Sequence, residues 1–202
     1  MNPSRRPAFA VASTARIAAS VALAAAMAGA SIAHAHPDSA HAGHAADARI
    51  DRASPLVQKV RAATARFVDI NVAIQEQWKP ATPCVSGPNG GAMGVHFVLT
   101  ARIGDGKLDA NEPEALIYEP RPDGSMRLVG VEFIVLAADW KRLHPEGPAP
   151  SVDGHLTHYV GEPNRYGLPA FHELHVWAWE GNPTGSFADF NPAVSCERQR
   201  AE

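Results

Sequence analysis

The sequence predicts an α+β domain: one long N-terminal helix packed on a curved antiparallel sheet, loop-rich and closed by one disulfide. Three observations predict it. One apolar stripe of helical period occurs, starting near residue 54, and from residue 82 onward the texture is short strand-like runs between turn signals. Glycine (16) and proline (17) are frequent enough to demand many turns rather than a helical bundle. Only two cysteines are present, far apart in the chain, which fits a single cross-link better than a thiolate cluster.

Composition sets the bounds. With 202 residues the chain holds one domain plus extra segments, and 46% apolar residues are enough for a core. A net charge of −3 without a basic cluster excludes a strong nucleic-acid binder. The division expected is a signal peptide over residues 1–35, a flexible His-rich tail over 36–53 and a single α+β domain over 54–202.

Residues 1–35 have the layout of an export signal. Arg5, Arg6 and Arg16 form a positive start, residues 17–30 are apolar and alanine-rich, and Ala33-His34-Ala35 offers the small-x-small pattern of a cleavage site. The apolar stretch is too short for a stable membrane helix, so no membrane span is expected after cleavage. Arg5-Arg6 also raises twin-arginine export, which Pro7 fits poorly. The expected location is therefore periplasmic or secreted. In such an oxidising compartment Cys84 and Cys196 are expected to pair.

The His-rich segment that follows has no apolar period and reads as a tail. If cleavage follows Ala33, the new start His34-Ala35-His36 presents an amine, two amides and a third-position imidazole, a square-planar set suited to Cu(II). Cleavage after Ala35 removes that option, and the tail is then a linker with incidental histidines.

Ser54-Pro55 reads as an N-cap followed by proline at the first helical position. Leu56, Val60, Ala63, Phe67, Ile70 and Ile74 continue one apolar face, so the helix should run to about Trp78 and end before Lys79-Pro80. Residues 95–99 form a short strand. Residues 115–118 and Met126–Leu136 form a hairpin through the turn Arg121-Pro122-Asp123-Gly124. Ala137–Leu143 is a short helix, residues 156–160 a strand and residues 171–179 the last strong strand. Residues 183–196 should pack back on the body.

That last strand carries the most chemistry. Alternation puts Phe171, Glu173, His175, Trp177 and Trp179 on one side, and His172, Leu174 and Val176 on the other. Two other apolar strands each hold one polar residue, His96 in Met93-Gly94-Val95-His96-Phe97 and Glu132 in Val129-Gly130-Val131-Glu132-Phe133. A glutamate in such a run is costly to bury unless paired or ligated. If the strands are neighbours, His96, Glu132 and His175 converge, and two imidazoles with one carboxylate suit Zn or non-haem Fe. Glu173 and Trp177 would line the adjoining ligand pocket. The alternative is a purely structural network, with Glu132 paired to Arg127 or Arg165 and the imidazoles bonded to backbone or Tyr166. Residues 87–94 are glycine-rich but lack a phosphate-loop ending, residues 105–112 miss the calcium-loop spacing, and no Gly-x-Ser-x-Gly elbow occurs.

The ordered strings Cys84-Val85-Ser86-Gly87-Pro88, Met93-Gly94-Val95-His96-Phe97, Pro113-Glu114-Ala115-Leu116-Ile117-Tyr118-Glu119-Pro120, Leu128-Val129-Gly130-Val131-Glu132-Phe133, Glu173-Leu174-His175-Val176-Trp177 and Phe187-Ala188-Asp189-Phe190-Asn191-Pro192 resemble a family of uncharacterised exported bacterial proteins over about residues 60–197. The resemblance implies a single exported domain and supplies no reaction. The function expected is a periplasmic or secreted binder of a metal ion or small molecule. An acid/base or metal-dependent enzyme using the same residues, and an envelope interaction module without a small ligand, are the alternatives.

Overall fold

The computed structural model describes residues 50–87 and 90–197. The signal-like segment and nearly all of the His-rich tail, with its Cu(II) option, lie outside the described residues. Among the described residues no helix is long and apolar enough to cross a membrane.

The fold is α+β, as its patterning requires, and Cys84 and Cys196 are joined by a disulfide spanning 112 positions. Helix α1 (Pro55–Thr64) starts where expected: the Ser54 hydroxyl accepts from the Val57 amide at 3.4 Å and Pro55 opens the first turn. The single long helix is not what forms. A 3-10 turn (Ala65–Val68) interrupts it, and α2 (Ile70–Gln75) is a separate short helix. Side chains compete for the backbone here. The Thr64 hydroxyl donates to the Val60 carbonyl at 2.6 Å, Tyr118 donates to the Phe67 carbonyl at 2.7 Å, and Asp69 caps α2 by accepting from Asn71. The break turns Ile74 outward, 51% exposed, while Phe67 and Trp78 stay buried edge to face, their centroids 5.3 Å apart.

The strands are β1 (Lys79–Pro80), β2 (Val85–Ser86), β3 (Ala92–Val98), β4 (Ala115–Pro120), β5 (Met126–Leu136), β6 (Ser151–Val152), β7 (His155–Leu156), β8 (His158–Val160) and β9 (Phe171–Val176). Helices α3 (Thr100–Ile103) and α4 (Ala137–Leu143) leave the ends of β3 and β5. The main sheet runs β1-β3-β4-β5-β9-β8, with β2 also on β3, and every pairing is antiparallel. The strand expected over 156–160 divides: His155–Leu156 pairs with β6 in a two-stranded ribbon, and His158–Val160 joins the edge of the main sheet.

Period-2 alternation gives the sheet two unlike faces. One carries Val95, Phe97, Leu116, Tyr118, Val131, Phe133, Leu174 and Val176, packed with Leu56, Val57 and Val60 of α1 into the main core. The other carries two smaller apolar clusters. Ala92, Ile117, Val129, Trp177 and Val194 form one, and Ala115, Ile134 and Phe171 the other. Between them runs a polar stripe. The C-terminal segment lies over this second face through the disulfide and an antiparallel bridge between Ala92 and Asn191. Gly91 permits that approach: with φ +75°, a Cβ there would stand 2.5 Å from the Asn191 carbonyl oxygen.

Candidate metal centre

Register builds the stripe. Glu132 of β5 lies directly opposite His175 of β9, and Glu173, two residues earlier, lies opposite His158 of β8. His96 comes from β3, with β4 between it and β5. Ala115 of β4 is paired to Glu132, and its small side chain leaves room above the strand. His96 Nε2 thereby reaches Glu132 Oε2 at 3.2 Å. The His96 and His175 rings stand nearly perpendicular, centroids 5.8 Å apart.

One donor atom from each of His96, Glu132 and His175 falls within 4.8 Å of the others, and all three residues are buried. Both ring nitrogens of His175 and Oε2 of Glu173 are buried without a hydrogen-bond partner. Each such group costs about 1–3 kcal/mol in a folded protein. The nearest acid to His175 Nδ1 is Asp189, at 3.9 Å, too long for a hydrogen bond.

No arginine or lysine forms an ion pair with Glu132 or Glu173 among the described residues. The arginine pairing allowed by the sequence does not form, because Arg127 is committed to Glu119, at 2.7 Å, and to Glu180. Tyr166 donates to the Met93 sulfur at 3.5 Å and to neither imidazole.

Electrostatics follow from burial without counter-cations. Desolvation pushes His96 down to about 4. Desolvation also lowers His175, reinforced by His96 and His158. Both imidazoles are thus neutral near pH 7, with lone pairs free for a metal and no proton to expel. The Glu132 carboxyl is pushed well above the ordinary range, first by burial and then by Glu173 and Asp189. The Glu173 carboxyl is likewise raised by burial and by Asp189. The Thr82 hydroxyl lies 3.4 Å from His96 Nδ1. A tautomer that donates Nδ1–H to Thr82 turns the Nε2 lone pair toward Glu132, the usual support for a ligating histidine.

A cavity of ≈ 260 Å³ adjoins the cluster. Its walls are mainly apolar, from Ile103, Ile134, Leu168 and Phe171, with Thr82 and Tyr166 as polar points and His96 and Glu132 at one side. The remaining sequence-predicted residues sit elsewhere. Glu173 and His175 are in the stripe but do not line this cavity. Trp177 is fully buried behind His175, its ring roughly parallel at 6.2 Å, and its indole N–H donates to the Ala188 carbonyl. His172 is on the opposite face, 3.3 Å from the Thr157 hydroxyl.

Two participants escape sequence reasoning. His158 stands on a three-residue edge strand and Asp189 in an aperiodic loop. No period marks either of them. Compared with known proteins, the chain matches no family profile, no curated protein and no solved structure, so the reading of this site rests on its own geometry.

Proposed function

We propose that this is an exported protein that binds a divalent transition-metal ion through His96, Glu132 and His175, with the adjoining cavity holding a small molecule beside the metal. The observation that carries it is one buried meeting point for donors from three strands, at which both nitrogens of His175 lack any partner. A cation there takes the lone pair of one orphaned His175 nitrogen and displaces the proton from Glu132. Two neutral imidazoles with one carboxylate favour Zn or non-haem Fe. Export is supported by the N-terminal pattern, by the disulfide, which persists in oxidising compartments, and by the resemblance to exported bacterial proteins.

A second reading, a metal-dependent enzyme, is favoured by one feature: the cavity is lined directly by His96 and Glu132, with Tyr166 on its wall. A metal held there would polarise a carbonyl or activate water for a molecule in the cavity.

Metal analysis and Zn(II) titration of the metal-free protein, beside a His175→Ala variant, test the proposal. The wild type should bind and its thermal midpoint should rise, with about 2.7 kcal/mol of added stability at 100 times the dissociation constant. His175→Ala should show neither. Equal, negligible binding of Zn(II), Fe(II) and Cu(II) by both proteins overturns the proposal. Turnover by the loaded protein separates the two readings.

A further inference from the structure

A second group of donors stands beside the first. His158, Glu173 and Asp189 each offer an atom within 4.8 Å of the others. His158 Nδ1 lies 3.7 Å from Glu173 Oε1 and 3.8 Å from Asp189 Oδ2. These separations are too long for hydrogen bonds, so the three groups face one another without satisfying one another. Glu173 is the buried member, 3% exposed, and its Oε2 has no partner. Among the described residues the basic groups set against these carboxylates are His158 and, on Asp189 alone, His175.

The two trios share a wall. Glu132 of the first lies opposite His175, two residues along β9 from Glu173 of the second. Asp189 looks both ways, with Oδ1 3.9 Å from His175 Nδ1 and Oδ2 toward His158. We propose that His158, Glu173 and Asp189 form a second divalent-cation position, so that the stripe is a two-cation centre with a closed inner site and an open outer one. This rests on reading His96, Glu132 and His175 as the inner position.

The two sites differ in access and in donors. All three inner residues are buried, whereas the His158 side chain is 66% exposed and that of Asp189 37%. The outer set has one imidazole and two carboxylates, a harder donor set than the inner one. Its cation keeps water on the open side and exchanges readily. The Asp189 carboxylate couples the sites, since one oxygen faces the outer His158 and the other faces the inner His175. Paired cations across shared carboxylates can clamp both oxygens of a substrate undergoing displacement.

The test is stoichiometry by native mass spectrometry. Metal-free wild type is titrated with Co(II) and with Zn(II), alongside His158→Ala, Asp189→Asn and His175→Ala. Wild type should take up two cations per chain. His158→Ala should keep the tight equivalent and weaken the second by about 10- to 100-fold or more, the range typical for losing a supporting group of a metal site. Asp189→Asn should do the same. Both substitutions are on the surface, and circular dichroism confirms that the variants fold. His175→Ala should instead lose the tight equivalent. One cation in the wild type, unchanged in His158→Ala and Asp189→Asn, overturns the second position and leaves the first standing. No cation in the wild type overturns both.

Discussion

The two faces of the central sheet are built from the same strands and by opposite rules. Facing α1, residues of β5 and β9 such as Val131, Phe133, Leu174 and Val176 are apolar and packed. One residue along each strand, on the other face, Glu132, His175 and Glu173 are equally buried yet polar, and His175 and Glu173 have atoms without a partner. Burial on the first face stabilises by about 1.5–3 kcal/mol per large side chain. Burial on the second costs stability. Leucine there would cost less, so the polar stripe lowers stability where the other face raises it. The stripe is tolerable because it is narrow, with an apolar cluster at each end and the disulfide-held C-terminal segment across one of them.

That contrast can be tested most sharply at two adjacent residues. Phe133→Ala should lower stability by about 3–5 kcal/mol in denaturant unfolding, the usual cost of emptying a packed aromatic site. Glu132→Gln, one position away, should instead raise the stability of the metal-free protein at neutral pH, because the buried group no longer has to take up a proton on folding. Equal losses from both substitutions would mean that the second face is as structural as the first.

A middle-sized effect is expected at Glu114. Its carboxylate accepts from the Ile134 amide at 2.8 Å, and burial raises it to about 8. The folded state therefore holds this proton more tightly than the unfolded chain. The associated stability is full below about pH 4.5 and falls as pH rises toward 8, by up to about 1.4 kcal/mol per pH unit. Glu114→Gln keeps the acceptor and removes the charge, so its unfolding midpoint should be flatter than the wild type's across that window. A parallel pH profile would show that another group carries the dependence.

The smallest effect should come from the helix side. Ser54→Ala removes the hydroxyl that caps α1 and should cost about 1 kcal/mol, with no change in metal uptake. A change in metal uptake would show that the two faces are not independent.

Legibility in the sequence follows the same divide. The β4–β5 hairpin is readable because Pro122-Asp123-Gly124 fixes a turn between two apolar runs, and Met126–Leu136 has the bounds that its pattern implies. The unlike faces of β9 are readable because a strand has period two. The broken helix is not, since the carbonyls that Thr64 and Tyr118 take as acceptors become available only through local side-chain geometry and tertiary contact. The same holds for His158 and Asp189. His96, Glu132 and His175 stand out because they interrupt apolar strands. A histidine on an edge strand and an aspartate in a loop look like ordinary surface until the chain folds them against Glu173.

The bridge from Ala92 to Asn191 brings the C-terminal segment, and Asp189 with it, to the polar stripe. His96 stands on β3 and Asp189 two residues before Asn191, so the stripe is complete only when both ends of that stretch of chain are in place. Closing so long a stretch costs chain entropy before its contacts form. On the proposed reading, a chain lacking that last segment would hold the inner donors without the outer aspartate, and uptake of a second cation would report a completed fold.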